Sequence, residues 1–159
     1  MTARLIVLVV LVAAGLLLAA VLRRTQGRAR TVTGSSGFTA AELGTVPGTT
    51  ATFVQFSTAT CAPCRAVRRT LGRLVGDRPD VVHVELDAER HLDLVRRHRV
   101  LTTPTVLVLD AHGQVRQRLV GPADARALGQ ALQAVTATET TATETTATET
   151  ISSAETSHV

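Results

Sequence analysis

Lysine, tryptophan and tyrosine are absent from this chain of 159 residues. Without lysine there is no side-chain amine for Schiff-base or general-base work. The basic side chains, 17 of them, are all arginines. Aromatics are reduced to Phe38, Phe53 and Phe56. The basic–aromatic interleaving of a nucleic-acid surface is therefore missing, and no nucleic-acid partner is expected. Cysteine is nearly absent too: Cys61 and Cys64 stand alone. Two cysteines cannot build a disulfide framework or a four-cysteine zinc site, so their evident partners are each other.

The net charge of +4 comes from opposed ends. Arg4, Arg23, Arg24, Arg28 and Arg30 flank an apolar run near the start, while Glu139, Glu144, Glu149 and Glu155 lie near the finish. The run itself, LIVLVVLVAAGLLLAAVL over residues 5–22, carries no charge. As a helix it would reach about 27 Å, close to the thickness of a bilayer core. It has no polar stripe for a core helix to turn outward, and it leads directly into Arg23–Arg24 rather than a small-residue cleavage site. Residues 1–22 are therefore expected to be an uncleaved anchor in a bacterial plasma membrane. The heavier basic flank follows the run, which places the rest of the chain on the cytoplasmic face, the extracytoplasmic face being the alternative. Residues 23–37, rich in Arg, Thr, Gly and Ser, read as a basic, flexible linker. The far end repeats TATET at 136–140, 141–145 and 146–150. That composition offers no apolar face, so residues 136–159 are expected to be a disordered tail.

The globular part is residues 38–135. TATFVQFS, 50–57, reads as a buried strand. Residues 61–75 read as a helix with Pro63 in its first turn and Gly76 at its stop. VVHVEL, 81–86, is the next strand, and Asp87 is expected to cap a following helix that carries Glu89 in its first turn. TVLVLD, 105–110, and QVRQRLV, 114–120, are strands joined by a turn at DAHG, 110–113. Gly121–Pro122 is expected to open a last helix bearing Ala125, Leu128, Ala131, Leu132 and Val135. The order β-α-β-α-β-β-α predicts an α/β fold with a mixed central sheet between helices, its helix-linked strands parallel and its last pair a hairpin.

At the start of the 61–75 helix the Cys61 sulfur would meet unpaired backbone N–H groups and the positive end of the helix dipole. Both favour thiolate over thiol, and Arg65 adds positive charge one turn on. Cys64 would point back toward Cys61 at a spacing that closes a disulfide. Exposed Cys61 then attacks a substrate disulfide, and Cys64 resolves the mixed disulfide. Against this stand a structural disulfide, whose short loop would stabilise little, and half a metal site, which would need His83, His91, His98 or His112. Pro104, just ahead of a strand, is a strand opener or a cis-proline that brings backbone beside the cysteines.

With the strand TFVQFS, then CAPCR, a strand ending in LD, TTPTVLVLDAHGQV, and VG before a terminal helix, residues 38–135 resemble the thioredoxin family. The resemblance implies a disulfide oxidoreductase without cofactor or metal, with Cys61 as nucleophile and Cys64 as resolving thiol. It also implies a cis Thr103–Pro104 peptide at which Thr103 offers backbone hydrogen bonds to an extended substrate. Ala62 stands where the family has Gly, and Thr60 where it has Trp. Ala62, Pro63 and Arg65 are expected to tune the couple. The family's buried acid falls at Gln55, which accepts no proton, with His83 as a candidate substitute, and the family's nearby lysine is missing. The first strand and helix of the family are expected to be reduced. The expected partners are protein disulfides, an upstream thiol reductant and the membrane. The rival readings are an extracytoplasmic thioredoxin of the cytochrome-maturation kind and a non-catalytic thiol- or metal-binding module.

Overall fold

A computed structural model describes residues 2–25, 27–32 and 37–138. Helix α1 covers Thr2–Thr25. The domain follows with β1 (Ala29–Thr31), α2 (Ala40–Leu43), β2 (Ala51–Ser57), α3 (Ala62–Val75), β3 (Val81–Asp87), α4 (Leu92–Arg97), β4 (Thr105–Leu109) and β5 (Val115–Val120). A last helix, α5, spans 125–138.

The strands form one mixed sheet in the order β1-β5-β4-β2-β3. Strand β2 lies inside the sheet, between β4 and β3, and is buried along its whole length. The period-two alternation of β2 and β4 divides two cores. Ala51, Phe53, Val106 and Val108 face α3 and α5, where Val67, Leu71, Leu128, Leu132 and Val135 close over them. Val54, Phe56, Leu107 and Leu109 face the other way, onto Phe38, Leu43, Leu94 and Val100. Each such side chain contributes at most about 1.5–3 kcal/mol, and together they fix the sheet as a rigid platform beneath α3.

The expected mixed sheet flanked by helices is present, with several differences of detail. Strands β2 and β3 are parallel, but β4 runs antiparallel to β2 and therefore also to β3. The reason is length. Helix α4 has six residues and rises about 9 Å, too little to carry the chain back along a seven-residue strand of about 23 Å. The chain therefore enters β4 at the end of the sheet where β3 stopped. Asp87 does not cap α4, whose N-cap is His91. Its Oδ1 instead accepts from the Glu89 N–H in an intervening turn. The last helix starts after Asp124, not at Gly121–Pro122: the Asp124 carboxylate accepts from the Ala127 N–H at 2.8 Å. Helix α3 ends at Gly76, which keeps right-handed backbone.

The linker also contains structure. Residues 29–31 pair antiparallel with β5 and cover its open edge. The reduced first helix survives as α2, closed by a capping box between Thr39 and Glu42. At the other end α5 continues into the first repeat as far as residue 138, while residues 139–159 lie outside the described residues. Among the described residues no helix is long and apolar enough to cross a membrane. The side chains of residues 1–5, 9 and 21–26 are not among those described, so the expected span at 5–22 takes no support from the fold.

Candidate active site

Strand β2 delivers the chain to the site. After Ser57 a tight turn, closed by the Cys61 N–H on the Thr58 carbonyl at 3.1 Å, brings Cys61 to the head of α3. Cys61 is the N-cap, and its sulfur accepts from the Cys64 N–H at 3.2 Å. A thiolate at this atom would receive an otherwise unpaired helix N–H. Pro63 lies in the first turn, where its missing N–H costs no intrahelical bond. Cys61 and Cys64 are joined in a disulfide with their Cα atoms 5.3 Å apart. The two sulfurs differ in access. Cys61 is half-buried, whereas Cys64 shares the buried face of α3 with Val67 and Leu71.

The peptide Thr103–Pro104 is cis. Register places it: Thr105 pairs with Phe56, so Pro104 falls beside Ser57, at the sheet end from which the chain runs to Cys61. The Pro104 carbonyl accepts from the Gly121 N–H at 2.8 Å, so it is tied to the end of β5. Pro104 is buried and Thr103 is partly exposed beside it.

Beneath the cysteines, Gln55 is wholly buried. Its Nε2 donates to the Cys64 carbonyl at 3.0 Å, and its Oε1 has no partner among the described residues. An open pocket of about 340 Å³ lies alongside, lined by Ser57, Cys61, Cys64, Arg65, Arg68 and Glu85, among others. Ala62 is exposed and does not line it. Glu85 accepts from the Ser57 hydroxyl at 2.6 Å and pairs with Arg68 at 3.0 Å. Arg68 is half exposed, so this pair fixes geometry more than it adds stability.

His83 sits on the same face of β3, in register with Phe53, and is not among the pocket residues. Burial pushes its pKa down, with Arg68 acting in the same direction and Glu85 opposing both. Ser57, Arg68 and Glu85 did not stand out in the sequence. The usable signal was the alternation of VVHVEL, which puts Glu85 on the same strand face as His83.

The chain matches the family model of the thioredoxin-like domain over residues 46–136. Among solved structures it is similar to the oxidized form of mitochondrial thioredoxin 3 from Saccharomyces cerevisiae. The identity is 23%, over 55% of this chain and 81% of that one, with a TM-score of 0.49. A mutant thioredoxin from Halobacterium salinarum NRC-1 is 21% identical over 54% of this chain and 74% of its own, with a TM-score of 0.49. A structure concerned with thiol resolving in yeast mitochondrial 1-Cys peroxiredoxin via glutathione/thioredoxin systems is 20% identical. It covers 65% of this chain and 98% of its own, with a TM-score of 0.51, and that likeness is one of fold alone. A search of curated proteins returns no match.

Proposed function

The chain belongs to the thioredoxin-like domain family, and on that premise we propose that it reduces protein disulfides with Cys61 and Cys64 as its dithiol couple. The observation that carries the reading is the pair itself: one half-buried sulfur at a helix N-cap, bridged to a buried sulfur one turn on. Cys61 Sγ attacks the substrate disulfide and displaces one substrate thiolate. Cys64 then attacks Cys61 Sγ, releases the second, and leaves the intramolecular disulfide. An upstream thiol reductant returns the pair to the dithiol. The cis peptide at Pro104 and the partly exposed Thr103 before it supply an edge on which an extended substrate strand can lie.

The proposal includes membrane attachment through residues 5–22. Its support is the uncharged run and its arginine flanks. The basic flank at Arg23–Arg30 favours a domain on the cytoplasmic face.

Insulin-disulfide reduction by the full chain tests the chemistry. Wild type is expected to be active and Cys61→Ser inactive; full activity in Cys61→Ser would remove the redox assignment. A reporter fused to the C-terminus tests the topology, and activity restricted to the outside of the cell would reverse the orientation.

A further inference from the structure

We propose that Glu85 is the proton acceptor for Cys64 as that thiol resolves the mixed disulfide, with Ser57 and Arg68 as positioning residues that hold its carboxylate. The inference rests on the redox reading of Cys61 and Cys64. Resolution requires Cys64 as thiolate, because the thiolate is the attacking species. Yet Cys64 is 2% exposed, and an apolar setting disfavours ionisation. A proton acceptor has to come from the fold. Gln55, directly beneath, binds the Cys64 carbonyl through Nε2, and a neutral amide takes up no proton at this pH.

Glu85 meets the requirement from the next strand. The parallel register sets its Cα opposite that of Gln55, so both side chains rise on the face covered by α3. Glu85 lines the pocket that also contains Cys61 and Cys64. The Ser57 hydroxyl at 2.6 Å and the Gln55 amide at 3.5 Å approach Oε1, and Arg68 at 3.0 Å approaches Oε2. A carboxylate has about four lone-pair sites, so these contacts leave capacity for a proton.

The rival groups are worse placed. Asp87 also borders the pocket, but it stands opposite Ser57, one step on from the Gln55 that binds the Cys64 carbonyl, and its Oδ1 is held in the following turn by the Glu89 N–H. His83 lies one step back along the strand, outside the pocket, and burial weakens it as a base.

The step balances. In the mixed disulfide, Cys61 Sγ is bonded to the substrate sulfur. The Cys64 S–H proton passes to the Glu85 carboxylate across the pocket that both residues line. The Cys64 thiolate forms the bond to Cys61 Sγ as the Cys61–substrate bond breaks. The electron pair leaves on the substrate sulfur, which takes a proton from solvent. The protein dithiol is oxidised to a disulfide and the substrate disulfide is reduced to two thiols.

An aryl disulfide that releases a coloured thiolate separates the two steps in a stopped-flow trace of the reduced full chain. The first release reports attack by Cys61 and the second reports resolution by Cys64. Glu85→Gln is expected to keep a first phase and to slow the second, relative to the first, at least about tenfold near pH 7. The gap between the two proteins should narrow as the pH rises, because hydroxide then ionises the thiol without a protein base. A packing defect would not narrow in this way. Glu85→Asp should retain part of the second-phase rate. If Glu85→Gln does not fold, Ser57→Ala, which removes the 2.6 Å bond aiming the carboxylate, should slow the second phase several-fold and spare the first. An unchanged second phase, or slowing undiminished at high pH, overturns the role of Glu85 and leaves the redox couple standing. A wild-type protein with no first phase would instead overturn the couple.

Discussion

His98 gives the fold a measurable acid sensitivity. It is 2% exposed, its ring stacks on Phe38 at a centroid distance of 4.2 Å, and neither ring nitrogen has a hydrogen-bond partner among the described residues. Burial lowers its pKa from 6.5; the neighbouring Arg97 and Arg118 act in the same direction, and Glu42 opposes them. The sign follows. Above about pH 6.5 the ring is neutral in both folded and unfolded chains, and stability does not depend on it. Below that, the unfolded chain takes up a proton that the folded one refuses. Stability therefore falls with pH, by up to about 1.4 kcal/mol per unit for one group, until the lowered folded pKa is passed. His83 has the same sign, so the wild-type slope can approach about 2.7 kcal/mol per unit. The carboxylates Glu42 and Asp80, lowered from 4.5 and 3.8, stabilise the fold above those values and lose that effect only at more acid pH, so their window is separate. Replacing His98 by Phe keeps the stack on Phe38 and removes both orphaned nitrogens. Urea denaturation from pH 8 to pH 5 should show His98→Phe at least as stable as wild type at the top of the range, with roughly half the slope below about pH 6.5. Equal slopes in the two proteins would refute a neutral, desolvated His98.

Two further perturbations probe the site and the sheet edge. Gln55→Leu removes the bond to the Cys64 carbonyl, worth about 1 kcal/mol, and the weaker 3.5 Å contact with Glu85, and it also removes a buried acceptor whose desolvation costs about 1–3 kcal/mol. Stability of the oxidised protein should therefore change by less than about 1–2 kcal/mol, and a loss above about 3 kcal/mol in thermal denaturation would contradict that balance. Gly27→Ala adds a Cβ 2.2 Å from the Pro122 carbonyl at a φ of +72° and strains the residue that bonds Val120. Amide exchange should show protection lost over residues 29–31 while the β2–β4 amides stay protected; retained protection at 29–31 would refute the strain.

The cysteine pair was readable from sequence because its geometry is local. An N-cap sulfur and a residue three positions on are set by one helix turn, and Pro63 marks that turn. Strand β2 was readable because TFVQFS is β-branched and aromatic on both faces, as a strand buried on both sides must be. The direction of β4 was not readable, because it depended on α4 being one and a half turns long. The edge strand at 29–31 was not readable either, since Ala, Arg and Thr form it only when β5 presents an open edge.

By itself, then, the sequence determined the redox pair, the proline before β4, the hairpin at Asp110–Gly113 and an α/β fold with a mixed sheet. These are properties of residues within a few positions of one another, or of a hydrophobic period. Tertiary structure decided what surrounds the pair. Gln55 reaches the Cys64 carbonyl, and Glu85 comes to the pocket through a parallel register linking positions thirty residues apart. Strand pairing carries no local signature of its partner, so the carboxylate beside the cysteines became visible only when β2 and β3 were laid side by side.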